Sequence, residues 1–236
     1  YIVERFPANW KQLVENYKKI GGPVQVGDFP YGLFGTAREL MGVEELCVSF
    51  YEQPDLVHDI MDYLTDFWLK IYEKVCMDIK VDCIHIWEDM SGKTGSIISP
   101  KLVKEFMTPN YKKIKAFADK NNIPIFSLDT DGDVSELLPI FVDCGINLVF
   151  PFEVIESCNI LEYREKYPDL CIMGGIDKKE IAKGRNATDM ELDRISKLFD
   201  YGGGYIPFLD HTIHPDISFE DFKYFVKRLK EIIGIN

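Results

Sequence analysis

Short runs rich in β-branched and aromatic residues alternate with amphipathic helical patterns along the whole chain, which restricts it to parallel strand pairing with right-handed crossovers. Six runs qualify as strands: 23–28, 81–87, 123–129, 146–152, 170–175 and 204–209. Most are near-continuous apolar stretches, as strands covered on both faces are. Among the intervening helices, Leu56, Val57, Ile60, Met61, Leu64, Phe67, Trp68, Ile71 and Val75 recur at helical spacing, and Phe219, Phe222, Phe225, Val226 and Leu229 do the same in the closing one. Ser99 with Pro100, Asp133 with Glu136, Thr188 with Glu191, and Ser218 read as helix starts, and Thr108-Pro109 as a kink in the helix after Ser99. The segment 1–20 reads as loop and helix. The expected fold is α/β, either an open doubly wound sheet or a closed (β/α)8 TIM-type barrel, built as a single domain over 1–236. A barrel needs eight units and six are visible, so that reading expects two more before Tyr1, where the chain starts without Met.

The 236 residues are 46% hydrophobic and 13% aromatic, enough for a substantial core. Lys+Arg 27 against Asp+Glu 39 leaves a net charge of −12, which argues against phosphate backbones and anionic lipid as partners. Apolar runs fall far short of the roughly 20 residues that span a bilayer. These features lead us to expect a soluble, cytoplasmic protein acting on a small molecule. The six cysteines have no CxxC or zinc-finger spacing and read as reduced, mostly buried thiols.

In either architecture a site lies beyond the carboxyl ends of the strands. Every predicted strand ends in acid: Asp28, then Glu88 and Asp89, Asp129 with Asp131, Glu153, Asp177, and Asp210 followed by His211 and His214. Helix capping explains Asp133 and Asp177 but not the whole set. Carboxylates crowded together raise one another's pKa or require a cation. Asp129, Asp131 and His211 or His214 would offer oxygen and nitrogen ligands to a divalent metal, zinc first. A metal-free acid/base pocket is the alternative. Tyr31, Phe34, Met41, Trp87 and Phe152 are candidate pocket walls. Asp129-Thr130-Asp131-Gly132-Asp133 does not continue as an EF-hand, and Gly202-Gly203-Gly204 reads as a helix end leading into a strand.

Three pieces of sequence carry a family likeness: Trp87-Glu88-Asp89-Met90 followed by Ile98-Ser99-Pro100, Gly174-Gly175-Ile176-Asp177, and His211-Thr212-Ile213-His214-Pro215-Asp216. With them the chain resembles the C-terminal two-thirds or so of the uroporphyrinogen decarboxylase superfamily, which includes corrinoid-dependent methyltransferases. The resemblance implies a (β/α)8 barrel, usually homodimeric, with His211 lining a substrate cleft. It implies that the decarboxylases' Arg-rich clamp and pyrrole-gripping Asp belong to a front portion, Arg38 being the one arginine just after a predicted strand. Where the methyltransferase branch carries a zinc-binding His-x-Cys pair and a further Cys, this chain has Asp129, Asp131 and the Asp210-His211 pair. That harder donor set suits oxygen substrates.

The combined expectation is a methyltransferase that moves a methyl group from a methoxy-type substrate to a corrinoid carried on a partner protein. The alternatives are a decarboxylase acting on a porphyrinogen or related carboxylate, which needs no cofactor, and a truncated, non-catalytic binding module. Asp129, Asp131, His211 and Glu88 are the catalytic candidates, the first three also as metal ligands. Asp28, Arg38, Trp87, Glu153, Asp177 and Asp210 are the substrate-binding ones.

Overall fold

The computed structural model describes residues 5–155 and 157–235. The strands in chain order are β1 (Gln25–Val26), β2 (Cys83–Trp87), β3 (Ser91–Gly92), β4 (Gly95–Ser96), β5 (Ile125–Asp129), β6 (Leu148–Phe152), β7 (Cys171–Ile176) and β8 (Tyr205–Leu209). The helices are α1 (Trp10–Ile20), α2 (Leu33–Met41), α3 (Val43–Glu52), α4 (Pro54–Asp78), α5 (Pro100–Leu102), α6 (Thr108–Lys120), α7 (Leu138–Asp143), α8 (Ile160–Lys166), α9 (Lys178–Ala182), α10 (Arg185–Ser196) and α11 (Phe219–Ile233). All six predicted strands are present. The short β3–β4 hairpin is an addition to them, because Ser-Gly and Gly-Ser pairs carry no β signal. Part of the opening segment, residues 1–4, lies outside the described residues.

The chain forms two compact units. Of the described residues, the first holds 5–90, 97–129 and 137–147, and the second holds 91–96, 130–136, 148–155 and 157–235. In the first unit β2 pairs in parallel with both β1 and β5, with Trp87 opposite Asp129. Its core gathers Leu33, Phe34, Met61, Ile84, Phe106 and Phe141, all fully or almost fully buried. Helix α4 contributes Val57, Met61, Leu64, Trp68 and Val75, the stripe its spacing predicts. Ser99 caps α5, and a π turn at Val103–Met107 separates α5 from α6 just before Thr108-Pro109. The expected kink is therefore present as a π turn.

Glu88 anchors α2 to the end of β2. Its carboxylate accepts from the amides of Leu33 at 2.9 Å, Phe34 at 2.7 Å and Gly35 at 3.1 Å, and from the Tyr111 hydroxyl at 2.9 Å. Oε1 receives Leu33 and Tyr111, and Oε2 receives the other two, so every lone-pair direction has a donor. The first turn of a helix is where such an anion is stabilised. The helix can come this close because positions 32 and 35 are glycine: a Cβ there would lie 1.7 Å and 2.2 Å from the Trp87 carbonyl oxygen. Glu88 is completely buried, and its four donors make it a residue that holds the fold.

In the second unit β7 pairs in parallel with β6 and β8, with Gly174 opposite both Phe152 and Pro207. The register with β6 shifts between Val149 and Phe152. A Cβ at Gly174, whose φ is +125°, would meet the Phe152 amide nitrogen at 2.5 Å, so the Gly174-Gly175 turn serves close strand packing. Ser218 caps α11 and Asp177 caps α9. Two expected helix starts are corrected. Helix α10 begins at Arg185 behind Gly184, and the Thr188 hydroxyl instead donates back to the Gly184 carbonyl. Asp133 accepts from the Ser135 amide in a turn that precedes no immediate helix. Gly202 ends a 3-10 turn ahead of β8, as its neighbours imply. All six cysteines are free, but only Cys144 and Cys158 are fully buried.

Burial pushes the Glu88 carboxyl up to about 7 from 4.5, against the pull of its four donors. The folded state therefore holds this proton more tightly than the unfolded chain, and its contribution to stability falls as pH rises across that window. Urea unfolding at pH 5 to 8 should show this slope in the wild type and its loss in Glu88→Gln. Tyr111→Phe removes one donor to the charged form, so it should cost about 1–2 kcal/mol and carry the slope to higher pH.

Candidate functional site

In the first unit, the strand-end residue Asp28 is exposed and its carboxylate accepts from the Phe29 amide at 2.8 Å. Arg38 is committed within the protein. Its guanidinium donates to the Asp89 carboxylate at 2.9 Å and to the Asp89 carbonyl at 2.8 Å, and lies 4.7 Å from the centre of the Trp87 ring. Asp89 itself has φ +42°, a left-handed conformation that Asp tolerates and that turns its side chain to Arg38. Asp129 ends β5, and its Oδ2 lies 3.9 Å from His85 Nε2. His85 Nδ1 in turn lies 2.9 Å from Ser127 Oγ. Burial lowers the His85 pKa against the attraction of Asp28, which favours the neutral ring. Of the candidate walls, Phe34 belongs to the core, whereas Tyr31 is exposed.

The second unit brings three ligand-type side chains together. Asp131, Glu153 and His211 each offer one atom, and these atoms all lie within 4.8 Å of one another. His211 Nε2 is 3.6 Å from Asp131 Oδ2, close to the separation of about 3.4 Å between two ligands on a tetrahedral zinc with bonds near 2.1 Å. The imidazole is held from its other side, Nδ1 lying 3.0 Å from Thr212 Oγ1. That is the kind of outer contact that fixes a metal-binding tautomer. Burial and the Asp131 charge raise the Glu153 pKa, Asp210 adds to the effect, and Lys178 opposes it. A divalent cation would remove that repulsion. The donor set fits such an ion.

Each ligand has a backbone reason for its place. Asp131 sits on a turn that tucks against the β3–β4 hairpin, where the Asp133 amide donates to the Gly92 carbonyl at 2.9 Å. A Cβ at Gly132, with φ +71°, would come within 2.5 Å of Gly92, so only glycine permits this approach. Glu153 directly follows β6. His211 follows β8, whose ladder continues through the Asp210 amide to the Ile176 carbonyl at 2.8 Å.

The set differs from the sequence expectation at one position: Glu153, expected to bind substrate, stands with Asp131 and His211, while Asp129 faces His85 in the first unit. Asp177 is a helix cap that accepts from the Lys179 amide, as expected of an acid at a helix start. Asp210 is almost fully buried and accepts from the Lys178 ammonium at 3.1 Å and the Lys178 amide at 3.2 Å. Lys178 was missed by sequence reasoning. It is the first residue of α9, immediately after a strand-end acid, and that position was the available signal. A cavity of about 760 Å³ opens beside the group and shares Glu153 with it, bordered also by Lys93, Lys178, Lys179, Asp210 and His214.

Comparison with known proteins agrees with this architecture. The family model "Uroporphyrinogen decarboxylase (URO-D)" matches residues 10–232. The chain belongs to the uroporphyrinogen decarboxylase family, an α/β fold of the TIM-barrel type, of which six parallel strands lie among the described residues. It is 22% identical over 199 residues to a uroporphyrinogen decarboxylase of Hahella chejuensis, covering 84% of this chain and 53% of that protein. Over 187 residues it is 22% identical to the enzyme of Hydrogenovibrio crunogenus, covering 77% and 50% respectively. The chain thus spans about half the length of the curated relatives it matches. A methyltransferase from Methanosarcina mazei has a similar fold, with a TM-score of 0.66 at 18% identity over 96% of this chain and 67% of that one. Among the described residues no helix is long and apolar enough to cross a membrane.

Lys178 supplies the countercharge of buried Asp210. Lys178→Met should therefore lower the unfolding free energy by about 2–3 kcal/mol, read by denaturant titration, whereas Lys179→Met, at an exposed neighbour, should change it by less than about 0.5 kcal/mol.

Proposed function

We propose that this chain carries the substrate site of an enzyme that moves a methyl group from a small methoxy-type compound to a corrinoid held by a partner protein, with Asp131, Glu153 and His211 binding a divalent metal, zinc first. The convergence of those three side chains carries the reading. Two carboxylates and an imidazole form a hard donor set, matched to an oxygen-bearing substrate. The metal would act as a Lewis acid on the methoxy oxygen. The C–O bond would break with its electron pair left on oxygen, the methyl carbon would take its new bond from the electron pair of a reduced corrinoid supplied by the partner, and a solvent proton would complete the product hydroxyl. Asp131, Glu153 and His211 would hold the metal, Thr212 fixes the His211 ring, and Lys178 and Asp210, which neutralise each other, wall the cavity. The methyltransferase of similar fold is consistent with this chemistry.

Decarboxylation of a porphyrinogen is the second reading. It is favoured by the lysines along the cavity and by the names of the relatives that match. A homodimer and cytoplasmic residence are further parts of the proposal.

Metal content separates the readings. After mild chelation and zinc reloading, the wild type should hold near one equivalent, and Asp131→Ala and His211→Ala should hold none. At 100 times the dissociation constant, zinc should stabilise the wild type by about 2.7 kcal/mol and leave both variants unchanged. No uptake by the wild type would overturn the metal reading and favour a metal-free acid/base pocket.

A further inference from the structure

Three lysines border the cavity beside Glu153, and the structure gives them different duties. Lys178 is spent on Asp210. Lys93 and Lys179 are exposed, one at the turn of the β3–β4 hairpin and the other on α9. Their presence is unexpected beside so much acid, and the charge balance at the site explains it. Asp131 and Glu153 carry two negative charges that a divalent cation would cancel. Lys178 cancels Asp210, and His214 Nδ1 lies 2.9 Å from Asp216 Oδ2. With the metal in place, Lys93 and Lys179 outweigh the remaining acid, Asp216, by one positive charge at a cavity of about 760 Å³, within the range of small-molecule sites. Without it, the two acids offset them.

We infer that the substrate is a methoxy compound that also bears a carboxylate, and that Lys93 and Lys179 recognise this carboxylate once the metal is bound. The inference rests on the metal reading above and specifies its substrate class. Two lysines suit this role, since a point charge on a flexible stem can follow a carboxylate without a fixed fork geometry. The hairpin that carries Lys93 is tied to the turn that carries Asp131 through the Asp133-to-Gly92 hydrogen bond. Carboxylate recognition and metal binding are thereby joined through one backbone contact within the same unit.

The test uses 4-methoxybenzoate and its neutral twin 4-methoxybenzamide as probes, titrated calorimetrically into the zinc-loaded chain, with zinc measured on the same sample. The acid should bind at least tenfold more tightly than the amide, and added salt should erode that preference. Lys93→Ala and Lys179→Ala should each weaken the acid about fivefold, the scale of a partly hydrated ion pair, and leave the amide unaffected. Both positions are exposed, so neither variant should alter folding or zinc content. Zinc-loaded protein that binds acid and amide equally, or binds neither, would overturn this inference and leave the metal reading standing. Protein that takes up no zinc would overturn that reading and this inference with it.

Discussion

Parallel strands joined by crossover helices end at the same edge within a unit, so acids placed at strand ends must be neutralised at close quarters. Most of the structure around these ends can be understood as the way each charge is met. Glu88 is met by three helix amides and a tyrosine hydroxyl, Asp89 by Arg38, and Asp210 by Lys178 and its amide. Glu191 is met by Arg194 at 2.6 Å and by the Asp177 amide. Asp131 and Glu153 stand beside each other with His211, each offering one ligand atom.

The glycines follow from the same requirement. Gly32 and Gly35 let a helix end ride against the Trp87 carbonyl, and Gly132 lets the Asp131 turn press on the hairpin. Each removes a Cβ at a place where an acid has to be brought to its partners. Cores built from Leu, Ile and Phe in both units supply the rigidity that keeps these contacts in register.

Much of this was legible in the sequence because the strands are apolar on both faces and announce themselves by composition. The positions of the acids at strand ends were legible for the same reason. Their roles were not, since a buried carboxylate that binds a helix end and an exposed one that binds a ligand are the same letter. Glu88 and Glu153 illustrate this: four donors surround the first, while the second faces Asp131 and a cavity. Thr188 misled through a capping pattern one turn inside its helix, where its hydroxyl bonds backward. Lys178 offered only its place behind a strand-end acid and Lys93 no signal at all, because charge alone does not tell which lysine a fold will place beside an acid or at a cavity mouth.

The central claim is that Asp131, Glu153 and His211 form a metal site. Crystals of the zinc-loaded chain, measured on both sides of the zinc absorption edge, test it most directly. The account predicts a single strong anomalous peak about 2.0–2.2 Å from an oxygen of Asp131, an oxygen of Glu153 and Nε2 of His211. A peak bound elsewhere, or none beside these three residues in crystals that contain zinc, would contradict it.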